Sequence, residues 1–123
     1  MHWLSIAIGG ALGAMGRYWV SCCWLPISAY KFPYATFSVN VIGSLIMGIL
    51  YVLIVERGGL PDQARNILMV GFLGAFTTFS TFSLDAISLW QNGSQLMAFI
   101  YVISTVFSCL LAIIVAIWLT RLF

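Results

Sequence analysis

Apolar residues run almost without interruption through four stretches of the chain, near residues 4–24, 35–55, 66–90 and 96–120, and polar residues gather between them. Each stretch reaches the roughly 20 residues that a helix needs to cross a bilayer. The interruptions carry turn chemistry. Residues 25–33 hold Pro26, Lys31 and Pro33, residues 56–65 hold Glu56, Arg57, Gly58, Gly59, Pro61, Asp62 and Arg65, and residues 91–95 read QNGSQ. The pattern predicts an all-α membrane protein: one domain over residues 1–123, four transmembrane helices, and both termini on one side. Asn92, Gly93 and Ser94 also match a glycosylation acceptor and are read as a turn.

The third stretch does not read as a plain helix. Residues 71–82, GFLGAFTTFSTF, set Thr77, Thr78, Ser80 and Thr81 among Gly71, Gly74 and four phenylalanines. Glycine and β-branched threonine weaken a helix, and hydroxyls in hydrocarbon want partners. A helix broken around a polar pathway is expected. Such breaks free backbone carbonyls and amides that bind ions, and they persist only where protein or a wet cavity covers them.

Composition sharpens the membrane reading. Of 123 residues, 63% are hydrophobic and 7% charged, against roughly 45–50% and about 25% in an ordinary globular protein. A net charge of +2 suggests no nucleic-acid partner and no acidic substrate. Met1, His2 and Trp3 lack the basic cluster of a signal peptide, so the first span is expected to stay in the mature protein. Cys22, Cys23 and Cys109 are an odd set with two adjacent, which argues against a disulfide framework and for small packing residues. Arg57, Arg65 and Arg121 fall on the side of the termini, Lys31 and in part Arg17 on the other. This small excess favours a cytoplasmic N-terminus only slightly and permits insertion in both orientations. Trp3, Trp24, Tyr34, Trp90 and Trp118 sit near span ends as interfacial anchors.

Several intramembrane residues carry two readings each. In the first span, Gly9 with Gly13, and Gly10 with Ala14, form small faces that let another helix approach. Arg17 is a basic residue inside a span, where a charge costs about 2.5–3.5 kcal/mol at mid-bilayer. It either snorkels to the interface or stands as a cation at the mouth of an anion path. Asn40, Ser44 and Gly48 recur at i, i+4 and i+8 and line one face of the second span. Asn40 either bonds a neighbouring helix or offers neutral donors to an anion. Phe79 and Phe82 share a face three residues apart. They are lipid or core residues, or their positive ring edges meet a small anion. Asp85 is explained by interfacial solvation. In the fourth span Tyr101, Thr105 and Cys109 make an i, i+4, i+8 stripe beside Ser104 and Ser108. These hydroxyls either bond back to their own helix or continue a pore wall.

Catalytic groupings are missing: His2 is terminal, no acidic pair lies in a span, and no Cys/His cluster has metal-ligand spacing, so no enzyme is expected. The motifs GGALGAMGRY, VNVIGS and GFLGAFTTFSTF, one in each of the first three spans, resemble the Fluc (CrcB) fluoride channel family, and the resemblance covers essentially the whole chain. It implies a fluoride-selective ion channel in the bacterial inner (plasma) membrane, multi-pass, which exports fluoride passively and lowers cytoplasmic fluoride. It also implies a dual-topology antiparallel homodimer with two narrow pores, a broken third helix, and a central sodium ion held by backbone carbonyls of both subunits.

Position by position, Asn40 resembles the pore asparagine, and Phe79 and Phe82 the phenylalanines along the ion path. Gly74 and Thr77 fall where sodium-coordinating carbonyls are expected, and Arg17 matches a first-helix arginine. Tyr101, Thr105 and Cys109 match a polar track, with Ser44, Thr78 and Ser80 grouped with them on the fluoride path. Cys109 is a departure, because a thiol is a weaker donor than a hydroxyl. A small multidrug transporter is the alternative of similar length, but it needs a carboxylate deep in the first span. Glu56, Asp62 and Asp85 all lie in loops or near span ends. A purely structural membrane subunit would not require Asn40, Phe79 and Phe82 around a helix break.

Overall fold

The computed structural model describes residues 1–24 and 32–123, so the expectations placed on Pro26, Lys31 and the Trp24 side chain lie outside the described residues. Helix α1 covers His2–Trp24. Helix α2 covers Tyr34–Leu50 and continues into a wider, π-helical turn over Tyr51–Glu56. Helix α3 opens with Asp62–Arg65, widens to π-helical geometry over Asn66–Leu73 and closes with Gly74–Phe76. Helices α4 and α5 are Phe79–Gln91 and Gln95–Leu122. Among the described residues there is no strand.

Prolines and glycines set these limits. Pro33, with φ fixed at −74°, precedes α2 and accepts a 3.1 Å hydrogen bond from the Phe37 N–H. Pro61 does the same for α3, accepting from Ala64 at 2.9 Å, with Asp62 at the positive end of that turn. Gly93 adopts a φ of +87° in the turn after α4, a conformation that a side chain would oppose.

Among the described residues, three helical stretches are long and apolar enough to cross a membrane: Tyr34–Glu56, Asp62–Gln91 and Gln95–Leu122. Helix α1 has 23 residues, but its glycines and Arg17 dilute its hydropathy.

The two most extensive contacts pair α1 with α3 and α2 with α5, and α4 packs on α5. Small residues make the first pair possible. A Cβ at Gly9 or Gly13 would overlap the backbone carbonyls of Ile67 or Phe72, and one at Gly71 would lie 2.7 Å from the Ile6 oxygen. The Gly9 and Gly13 face is therefore filled by α3 of the same chain, and cannot serve as evidence for a face reserved for a second copy. Gly48 plays the same part between α2 and α5, where a Cβ would come within 2.8 Å of the Ala116 methyl. Val39, Leu73 and Phe76 form one buried core, and Phe82, Ala86 and Tyr101 a second. Leu4, Leu12, Trp19, Phe107, Leu111 and Ile114 face outward, as a surface set in lipid should. Trp3, Tyr34, Trp90 and Trp118 are exposed at helix ends.

Polar contacts gather both termini at one end of the bundle. Asn66 and His2 share a 2.6 Å hydrogen bond, the Arg57 guanidinium donates to the Thr120 carbonyl at 2.8 Å, and Arg121 pairs with Glu56.

A stapled helix break over an open groove as the candidate functional site

The third span is interrupted at two residues. Thr77 (φ −80°, ψ 158°) and Thr78 (φ −152°, ψ 119°) are both extended, between Gly74–Phe76 and α4. An extended residue presents its own N–H and C=O to the same side, which suits a primary amide. Asn40 from α2 occupies that position: its Oδ1 accepts from the Thr78 N–H at 2.8 Å and its Nδ2 donates to the Thr78 carbonyl at 3.0 Å. The pairing also fixes the orientation of the amide, since the flipped group would set N–H against N–H. One Nδ2 proton remains for another acceptor.

Thr78 is also the N-cap of α4, its Oγ1 accepting from the Thr81 N–H at 3.2 Å. The same oxygen lies 3.4 Å from Ser80 Oγ. Thr77 turns the other way, its N–H and Oγ1 both donating to the Leu73 carbonyl at 3.0 and 2.8 Å. Its methyl packs on Gly43 so closely that any side chain there would displace it.

Beside the break lies an open groove of about 370 Å³. Asn40, Ser44, Thr77, Thr78, Phe79, Phe82, Thr105 and Cys109 line it, together with Gly43, Met47 and the apolar Val106, Leu110 and Ile113. Eight residues singled out in the sequence, from three separate segments, thus meet at one surface. Phe82 is 7% exposed and Phe79 79%, their ring centroids 5.6 Å apart, so one ring forms the floor and the other stands at the rim. Thr105 is buried, and its hydroxyl is a buried side-chain oxygen without a hydrogen-bond partner. The neighbouring Ser104 does bond back to its own helix, at the Tyr101 carbonyl. Bonding back to the helix therefore holds for Ser104 and not for Thr105.

Four expected residues lie elsewhere, one of them Ser80, which is exposed in the first turn of α4 and outside the groove lining. Tyr101 is fully buried beneath the groove, its ring 5.2 Å from Phe82 and its hydroxyl donating to Asp85 at 3.2 Å. Asp85 accordingly has a specific partner where the sequence suggested interfacial solvation alone. Arg17 lines a separate recess of about 320 Å³ with Ser21, Thr36, Thr78 and Thr81. Thr78 borders both spaces. The ion pair found among the described residues is Arg121 with Glu56, so Arg17 has no carboxylate partner there. Gly74 is exposed just before the break.

The arrangement brings together a helix end rich in carbonyls, a helix N-terminus, and a groove combining neutral donors with aromatic edges. Carbonyl ends suit cations and amide ends suit anions. Over residues 4–117 the chain matches the family described as CrcB-like protein, Camphor Resistance (CrcB). A protein of Saccharophagus degradans named "Fluoride-specific ion channel FluC" is 52% identical over 97% of this chain and 89% of its own length. Proteins of the same name from Hahella chejuensis and Magnetococcus marinus are 44% and 45% identical, the first over 98% of this chain and 95% of its own, the second over 87% of each. Matched nearly end to end, with the third-span break in place, the chain belongs to the CrcB-like family.

Proposed function

We propose that the protein is a fluoride-selective channel of the bacterial inner membrane, crossing it four times and letting fluoride leave the cytoplasm passively. The observation that carries this reading is the broken third span, stapled by Asn40 above a groove whose floor holds Phe82 and an unpartnered Thr105 hydroxyl, in a chain 52% identical to a relative named for that activity. Fluoride is small and strongly hydrated, so a path for it must replace water donors at close range. The remaining Asn40 N–H, the Thr105 hydroxyl and, more weakly, the Cys109 thiol supply donors. Phe79 and Phe82 present positive ring edges, and the N-terminus of α4 adds its dipole. None of these groups carries a full charge that would trap the ion.

An antiparallel homodimer accounts for the openness of the groove, whose rim residues Phe79, Val106 and Leu110 are exposed in the single chain. The near balance of loop arginines and lysine permits both orientations. The family resemblance also implies sodium at the break, and the donors fit it. The Gly74 and Thr77 carbonyls lie where the helix is interrupted, and a hard cation takes oxygen ligands. A second copy, related by a two-fold axis, would double that set. When bound, the ion supplies a fixed positive charge between two helix halves.

A small multidrug-type exchanger is disfavoured, because α1 contains no acidic residue. Fluoride efflux from liposomes carrying the purified protein tests the proposal. Fluoride release with chloride retained is expected; equal release of both ions, or of neither, would refute it.

A further inference from the structure

The break is held open by two diverted amide protons. In a continuous helix, each N–H bonds the carbonyl four residues earlier. The Thr78 N–H would close on the Gly74 carbonyl, and the Thr81 N–H on the Thr77 carbonyl. Both are taken elsewhere: Thr78 N–H goes to Asn40 Oδ1 at 2.8 Å, and Thr81 N–H goes to Thr78 Oγ1 at 3.2 Å. Gly74 and Thr77 are the two residues whose carbonyls the sodium reading requires.

We infer that Asn40 and Thr78 are positioning residues for the cation, their side chains withdrawing the two amide protons that would otherwise occupy the Gly74 and Thr77 carbonyls. This rests on the reading of the break as a sodium site, and it goes beyond it by assigning the cause. It also gives Asn40 a second task. With one arm it joins the wall of the groove, and with the other it makes the neighbouring carbonyl set. Anion path and cation site are thereby built from one amide, whose Nδ2 contact to the Thr78 carbonyl adds the register that keeps Thr78 extended.

The two tasks separate by substitution. Asn40→Leu keeps the size but offers no acceptor, so the Thr78 N–H is free to return to Gly74. Asn40→Asp retains an oxygen that accepts from the Thr78 N–H in either protonation state, yet it loses the amide donors. Thr78→Val removes the cap acceptor, and Thr78→Ser restores it.

The experiment measures the sodium-dependent rise in unfolding temperature of purified protein in detergent, with potassium as the comparison ion, alongside fluoride efflux from liposomes. The wild type is expected to show a sodium-specific rise. Asn40→Leu and Thr78→Val should lose it, while Thr78→Ser and Asn40→Asp keep it, the last with efflux abolished. If the wild type responds to sodium and Asn40→Leu and Thr78→Val respond equally, the positioning role is overturned and the cation site stands. If the wild type shows no sodium-specific rise, the sodium reading fails and the inference with it. Should Asn40→Leu fail to fold, Thr78→Val against Thr78→Ser decides alone.

Discussion

Replacing Thr105 by valine should make the protein more stable and less active at once. The side chain is 4% exposed, and its hydroxyl is buried without a partner. Its usual outlet, the carbonyl four residues back, is that of Tyr101, which already accepts from Ser104 Oγ at 3.3 Å. A buried hydroxyl left unpaired costs about 1–3 kcal/mol in water-soluble proteins. In a bilayer the unfolded reference state also finds partners, and hydrogen bonds there average a net value of about 0.6 kcal/mol. Valine has nearly the same shape and no polar atom, so Thr105→Val should gain about 0.5–1 kcal/mol of stability. Unfolding in mixed micelles with a graded fraction of denaturing detergent reads that gain. Liposome efflux at equal protein incorporation should fall in the same variant, and Thr105→Ser should retain wild-type flux. A loss of stability with unchanged efflux would mean that the hydroxyl has a structural partner and no part in the ion path.

Phe82→Ile should lower both stability and efflux, because the ring is buried and the aromatic pair with Tyr101 is worth about 0.5–1.5 kcal/mol. Phe79→Ile, at the exposed rim, should leave the stability of the single chain nearly unchanged while still cutting efflux; equal effects on stability would contradict the floor-and-rim assignment. Gly13→Ala should destabilise by about 2–3 kcal/mol, the upper part of the overpacking range, since the obstacle is the Phe72 backbone carbonyl. Gly10→Ala, with its nearest neighbour 3.9 Å away, should be neutral or gain up to about 1 kcal/mol from helix propensity, and the same detergent titration compares the pair. Arg65→Cys, at an exposed site free of the contacts that hold Arg57 and Arg121, should react with a membrane-impermeant thiol reagent from both faces of the membrane. The background must lack Cys22, Cys23 and Cys109. Labelling from one face only would rule out dual topology.

Local signals in the sequence were sufficient for the helical class and for the break. The threonine and glycine run at residues 71–82 announces that a helix fails there, and the structure puts the failure at Thr77 and Thr78. The residues of the groove were also legible, because each sits on a polar or aromatic face within its own span. Pairings between spans were not. Asn40 read either as bonding a neighbouring helix or as a donor to an anion; its partner is the Thr78 backbone 38 residues away, which no pattern could name because backbone groups look alike in any sequence. The contact between Tyr101 and Asp85 did leave a trace, since the two lie equally far on either side of Gly93 in a short helical hairpin. The π-helical turns at Tyr51–Glu56 and Asn66–Leu73 have no pattern of their own. The second lies where α3 fits its backbone against Gly9 and Gly13 of α1, a tertiary contact that local propensity does not announce.

The way the helices pair has a consequence for synthesis at the ribosome. Helix α1 packs chiefly on α3, and α2 on α5, so the first two spans to emerge have little surface for one another. Helix α2 waits for Gln95–Leu122, and the Glu56–Arg121 and Arg57–Thr120 contacts form only after that segment has been made. No early hairpin locks the chain in place. Packing between α2 and α5 therefore has no say in which way the protein faces until Gln95–Leu122 has been translated.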